Sequence, residues 1–206
     1  MEKSGDKKAY SEYDNFIFHP YNVMLFLTLL AITALFLALA ISFVYTRVQS
    51  GGGGVKIPLL FGVNTLVLLA SSYTMVKAKK NYTDDDTEGY QNALKYTILL
   101  SLLFLVMQFI AWSQLFSQNI FVHTDNSSAY LYLLSALHFA HVIAGLPFLY
   151  LFLRTAKREM KEPVTVLVYF SDPEKRLRLR LLTIYWHFLD GLWIFLVLFL
   201  LANYVI

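Results

Sequence analysis

The chain has no cysteine among its 206 residues. That excludes disulfides, thiolate metal centres and cysteine nucleophiles. It is also poor in charge. Asp, Glu, Lys and Arg make up 15% of it, against roughly 25% in ordinary globular domains. Hydrophobic residues make up 57%, and mean hydropathy is +0.53. Several runs reach the ~20 apolar residues that cross a bilayer core, so a soluble single-core fold does not fit. Little mass is left for a soluble domain, and residues 1–206 read as a single membrane domain. Fourteen Tyr, 17 Phe and 3 Trp suit the aromatic belts of such a protein.

Acids and bases are absent, or nearly so, from five stretches: Tyr21–Thr46, Ile57–Val76, Tyr96–Val122, Asn126–Leu153 and Leu181–Ile206. Each is long enough to cross as a helix. They are continuously apolar rather than alternating, and too long for tilted strands, so a β-barrel does not fit. The expected fold is all-α, a polytopic bundle of five transmembrane helices. The N-terminal segment is too polar and too mixed in charge for a signal peptide, so the first span is expected to be retained.

Five spans place the N-terminus, the 77–95 loop and the 154–180 loop on one side. Three, four and eight Lys and Arg residues lie in these segments, fifteen in all, and only Arg47 and Lys56 lie on the other side. Basic residues mark the cytoplasmic side. The N-terminus is therefore predicted to be cytoplasmic and the C-terminus periplasmic. The net charge of +3 reflects this topology. Its spread over three juxtamembrane segments argues against a nucleic-acid partner.

Ser50 to Gly54 (SGGGG) reads as a flexible linker. Asp84, Asp85, Asp86 and Glu88 precede the third span, where acids cap a helix and complement its dipole; a cation site is the alternative. Val164 to Phe170 lies between Pro163 and Pro173 and reads as a short strand or an interfacial segment.

Ionisable groups inside the spans are few. His138 and His141 lie in the fourth, His187 and Asp190 in the fifth. Each pair is spaced i,i+3 and so shares a helical face. Gly145 extends the first face and would let a neighbouring backbone approach, with Ala136, Ala140 and Ala144 as a small-residue stripe beside it. A rise of 1.5 Å per residue puts His141 roughly 18 Å below one boundary and Asp190 roughly 12 Å above the other. In a core of about 30 Å these are the same level. A hydrogen bond from His141 to Asp190 is therefore predicted. These four residues read as polar glue between helices, as proton-handling or lipid head-group contacts, or as metal or haem ligands. Asn64 and Gln108 are expected to bond across helices. Pro147 is expected to kink span four and free the Ile143 carbonyl.

Tyr185 to Leu196 (YWHFLDGLWIFL) closely resembles the last helix of subunit III of the haem–copper oxidases, which reads YWHFVDxxWxFL. Leu137 to Gly145 (LHFAHVIAG) is similar to that family's HGxHVxxG motif, and Ile57 to Ser72 to its LPLxNTxxLLxSS helix. The resemblance covers all five spans and is to the short bacterial form, which lacks the first two helices of the seven-span form. Three departures stand out. No acid occurs in Tyr21–Thr46, where the family usually has a buried Glu near the position of Leu30 and Ala31. Ala111 stands in the Glu position of the family's QxxEW, and Phe139 replaces the first Gly of HGxHV. Roles of those Glu residues do not carry over.

The resemblance implies a non-catalytic subunit of a proton-pumping terminal oxidase in the bacterial inner membrane. It implies no cofactor or metal in this chain, with haem and copper in partner subunits. The catalytic subunit I, subunit II and phospholipids would be its partners, within a larger respiratory supercomplex as a further candidate. His138, His141, Trp186, His187 and Asp190 carry over as buried polar, structural or lipid-associated positions. Spans one and two are expected to form a separate group flanking a lipid cleft. Three alternatives remain: an accessory subunit of a nitric oxide reductase, a small transporter and a b-type haem protein. A transporter would show internal repeats, and none is visible between the halves.

Overall fold

The computed structural model describes residues 20–51 and 57–205. The basic N-terminal segment, most of the glycine linker with Lys56, and Ile206 lie outside the described residues. Six helices follow one another: α1 (Pro20–Ser50), α2 (Leu59–Thr83), α3 (Thr87–Ser117), α4 (Asn126–Glu159), α5 (Pro163–Ser171) and α6 (Pro173–Val205). All except α5 are long and apolar enough to cross a membrane. No strand occurs among the described residues. The all-α, five-span expectation is met.

The five prolines punctuate this order. Pro20, Pro163 and Pro173 open helices and Pro58 immediately precedes one, positions where the missing N–H costs nothing. Pro147 lies inside α4, which continues through it to Glu159.

Helix ends depart from the span boundaries read off the charges. α4 has 34 residues, about 51 Å at 1.5 Å per residue, well beyond the bilayer core. Lys77, Lys79 and Lys80 are in α2 and Lys95 is in α3, so the expected 77–95 loop shrinks to residues 84–86. Asp85 adopts a left-handed φ of 55° there, and the Asp86 N–H returns to the Asn81 carbonyl at 2.9 Å. The Asp86 carboxylate then accepts from the Gly89 N–H at 2.9 Å, which makes it the cap of α3. α3 stops at Ser117 rather than near Val122. Asn119 turns left-handed (φ 60°), the Ile120 N–H bonds the Leu115 carbonyl and the Asn119 N–H bonds the Phe116 carbonyl. This double closure ends a helix without any charge.

Residues 163–171 form a helix, which overturns the strand reading. Glu162 and Thr165 cap its start reciprocally. Val and Tyr favour strands only where a neighbouring strand exists to pair with.

The packing also corrects the expected grouping of the spans. α2 lies mainly against α3 and also against α6, while α1 packs on α4 and α6 rather than pairing with α2. Hydrogen bonds from Arg180 to Asn22 and from Arg47 to Asn203, both at 3.1 Å, tie the two ends of α1 to the two ends of α6 and make these helices parallel. A separate two-helix group of spans one and two is not formed.

Candidate functional site

The interior holds two apolar clusters stacked along the bundle. One contains Phe61, Leu68, Phe104, Val142, Leu189 and Trp193. The other contains Met75, Leu94, Leu149, Leu182 and Trp186. Between Leu68 and Met75 on α2 stand Ser71 and Ser72. Between Leu94 and Phe104 on α3 stand Thr97 and Ser101. Between Val142 and Leu149 on α4 stands Gly145, and on α6 His187 stands between Trp186 and Leu189 with Asp190 one turn further on. A polar, small-residue layer thus crosses the bundle where the two cores meet.

Consecutive serines serve consecutive residues in this layer. The Trp186 indole N–H donates to Ser71 Oγ at 3.1 Å, and Ser72 Oγ lies 2.7 Å from His187 Nδ1. Thr74 and Thr97 hydroxyls meet at 2.8 Å. The layer therefore holds α2 to α3 and α6 by side-chain bonds, each worth about 0.6–1.7 kcal/mol in a membrane interior. Lower down α2, Asn64 Nδ2 donates to Gln108 Oε1 at 2.9 Å with both residues fully buried, as expected from their polarity.

Four of the five predicted site residues fall into three environments. Trp186 is packed in the second cluster, with its ring beside Gly145. His138 is fully buried in the first cluster, its ring 5.7 Å from Phe104 and 5.0 Å from Trp193. Neither of its ring nitrogens has a hydrogen-bond partner. His187 and Asp190 lie in the polar layer. His187 Nδ1 stands 3.9 Å from Asp190 Oδ2; the His187 side chain is 36% exposed and the Asp190 side chain 7%.

The predicted bond between His141 and Asp190 is not formed. His141 Nδ1 lies 2.6 Å from the carbonyl of Leu137, one turn back on its own helix, and its ring faces Phe36 of α1 at 5.9 Å. Asp190 turns instead toward His187 and Ser72 on the α2 side. The level was read correctly: Gly145 lies opposite Trp186 and His138 opposite Trp193, which puts residue 141 across from residue 190. Rise along the axis fixes height, but the direction of each side chain follows from 100° steps that a height argument ignores.

Two further expectations change at Gly145. A Trp ring, not a backbone, fills the space it leaves. The stripe of Ala136, Ala140 and Ala144 is exposed rather than packed against another span of this chain.

Among the described residues no three His, Asp or Glu side chains stand together in a way that could hold a metal ion. The polar layer can exchange hydrogen bonds through His187 with whatever lies outside it. It also has one weak point, because Asp190 Oδ2 is buried without a hydrogen-bond partner. Such an atom costs about 1–3 kcal/mol. Asp190→Asn is therefore expected to leave the thermal midpoint of the detergent-solubilised chain unchanged or higher. Melting followed by circular dichroism reads this, and a fall of more than about 4 °C would show that the carboxylate is holding the fold.

The family model for cytochrome c oxidase subunit III matches residues 16–204. Among curated relatives, a probable cytochrome c oxidase subunit 3 from Rickettsia felis is 32% identical over 138 residues, 66% of this chain and 45% of that one. Cytochrome c oxidase subunit 3 from Synechocystis is 28% identical over 187 residues, 88% of this chain and 73% of that one. The protein of that name from Corynebacterium diphtheriae is 27% identical over 133 residues, 64% of this chain and 60% of that one. The chain spans about half the length of the Rickettsia relatives it matches.

Proposed function

Because the chain belongs to the cytochrome c oxidase subunit III family, we propose that it is the non-catalytic subunit III of a haem–copper oxidase in a bacterial inner membrane. Its partners are the catalytic subunit I and subunit II, which carry the haem and copper of the assembly. That complex reduces oxygen to water and pumps protons. The share of this chain is to brace the catalytic subunit and to hold phospholipid.

The observation that carries this reading is the family match, which takes in all five spans. The fifteen-to-two partition of basic residues supports a cytoplasmic N-terminus and a periplasmic C-terminus. His138, His141 and Trp186 serve packing in this reading, and His187 with Asp190 presents the polar layer to a neighbouring subunit or to lipid. The place for lipid differs from the expected cleft between a group of spans one and two and the remaining spans. Two adjoining apolar cavities of about 310 and 500 Å³ open between α1 and α6 and share Leu37 and Phe195. Their lining, which includes Phe188, Leu192 and Phe199, suits acyl chains.

Mild-detergent purification of the tagged full chain tests the assignment. A haem-bearing oxidase catalytic subunit is expected to copurify, with the haem spectrum assigned to that partner. Copurification of a nitric oxide reductase instead would replace the assignment. A reduced-minus-oxidised haem signal in the chain freed of partners would overturn its non-catalytic role.

A further inference from the structure

α5 presents its apolar side outward. Val164, Leu167 and Val168 share one face by their i, i+3, i+4 spacing, and they are 72%, 66% and 63% exposed. The helix has no freedom to roll this face inward, because its opposite side is anchored. Tyr169 is buried, its carbonyl accepts from the Tyr82 hydroxyl at 3.1 Å, and its ring lies 6.2 Å from Tyr82 and 6.3 Å from Tyr90. Lys175 Nζ sits over the same ring at 4.1 Å. Burial pushes the Tyr169 phenol above its ordinary range, so the anchor stays neutral.

The height of α5 is fixed by the same contacts. Tyr82 belongs to the last turn of α2 together with Lys80, three residues beyond Lys79, where a span leaves the hydrocarbon core. Cations flank α5 on both sides. Lys157 and Lys161 precede it and Arg176 follows it, all exposed and all without an ion-pair partner among the described residues. The neighbouring Arg158, Lys175 and Arg178 are by contrast paired with Glu159, Glu159 and Glu174.

From this we infer that α5 is an interfacial anchor whose occupant is a leaflet of anionic phospholipid. Val164, Leu167 and Val168 enter the boundary between head groups and acyl chains, while Lys157, Lys161 and Arg176 take lipid phosphates. Apolar penetration combined with flanking positive charge is the chemistry of such helices, and carboxylate pairing elsewhere in the loop leaves these three cations free for phosphate. The inference uses only the placement of α5 and is independent of the oxidase assignment.

The absence of cysteine allows a direct test on the full chain. Single nitroxide labels are attached to Leu167→Cys, Val168→Cys and, as a turn control, Asp84→Cys. The protein is reconstituted in vesicles of phosphatidylcholine containing roughly one-third phosphatidylglycerol, an anionic leaflet of the kind basic segments bind. Collision with oxygen and with a water-soluble nickel chelate is then measured. Labels at 167 and 168 are expected to favour oxygen and the label at 84 to favour nickel. Nickel-accessible labels at 167 and 168 would overturn the inference. So would labels shielded from both reagents in the purified native complex, which would mean that a protein covers the face. In native mass spectrometry the combined K157Q, K161Q and R176Q variant is expected to retain phosphatidylglycerol at least about 5-fold less than the unaltered protein. Unchanged retention would overturn the phosphate part.

Discussion

Trp193→Ala is expected to destabilise the fold by about 3–5 kcal/mol, the range for removing a buried Trp. Its ring stacks on Phe61 at 5.4 Å, meets Phe104 edge-on at 5.1 Å and lies 5.0 Å from His138. Its indole N–H donates to Thr65 at 3.1 Å. One side chain on α6 therefore contacts α2, α3 and α4 together. In lipid there is little hydrophobic drive between spans, so packing and interhelical hydrogen bonds carry the association, and a cavity at this junction loses dispersion contacts from three helices at once. It also removes the ring covering His138, whose nitrogens have no bonds to compensate. Denaturation of the purified chain, followed by circular dichroism, measures the effect. Trp193→Phe separates the two contributions: it keeps an aromatic ring against Phe61 and loses the Thr65 bond, for a cost of about 1 kcal/mol beyond the change in ring size. A loss below ~1 kcal/mol for the Ala variant would show that the four-helix junction is not what holds the bundle.

The span count was legible because it depends on composition summed over twenty residues, and lipid permits few other solutions. The ends of the helices were less legible. Lys77, Lys79 and Lys80 mark where apolar surroundings stop, yet α2 continues to Thr83, since a helix outside the bilayer needs only a cap to stop it. The acid group before α3 was recognised as capping the start of that helix, where Asp86 is the residue that does so. Asn119 was not recognised as the stop at its other end, although Asn is one of the few residues that adopts a left-handed φ. At α5 the β-branched run left a strand and an interfacial segment open, but the Pro163 start and the Glu162–Thr165 pair were in the sequence and pointed to a helix.

The site was legible in height and only partly in direction. His187 and Asp190 share a face, as their spacing required, and Asn64 meets Gln108. His141 was assigned to Asp190 because the two are level, but it faces α1, a helix whose place in the bundle no local pattern reveals. Ser71 and Ser72 show only mild polarity in the sequence. Their pairing with Trp186 and His187 depends on the antiparallel register of α2 and α6, which is a property of the assembled bundle. The grouping of spans one and two failed for a similar reason: chain neighbours joined by a flexible linker need not be neighbours in space, and α1 found α4 and α6 instead.

Gly145 gives the second large effect, and it follows from the register of α4 against α6. A Cβ placed there would stand 2.8 Å from Trp186 Cζ3 and 3.0 Å from Tyr185 Cε1, closer than carbon atoms approach without displacement. Neither ring can easily withdraw. Trp186 is almost wholly buried and tied to Ser71 through its N–H, and the Tyr185 hydroxyl donates to the His141 carbonyl at 2.9 Å. The strain must therefore separate α4 from α6, and through Ser71 it reaches α2. Gly145→Ala is expected to cost about 1–3 kcal/mol, the usual range for overpacking, even though Ala is the better helix former by ~1 kcal/mol. Gly145→Val adds two more carbons at the same point and is expected to abolish recovery of the folded chain. Trp186→Phe beside Gly145→Ala is the decisive control: the smaller ring leaves room for the methyl group, so the double variant should be more stable than the sum of the two single losses predicts. Unfolding of the four proteins in a double-mutant cycle reads the coupling. Additive losses would mean that the methyl group is accommodated elsewhere and that the close approach of α4 to the Trp186 ring does not set the spacing of the bundle.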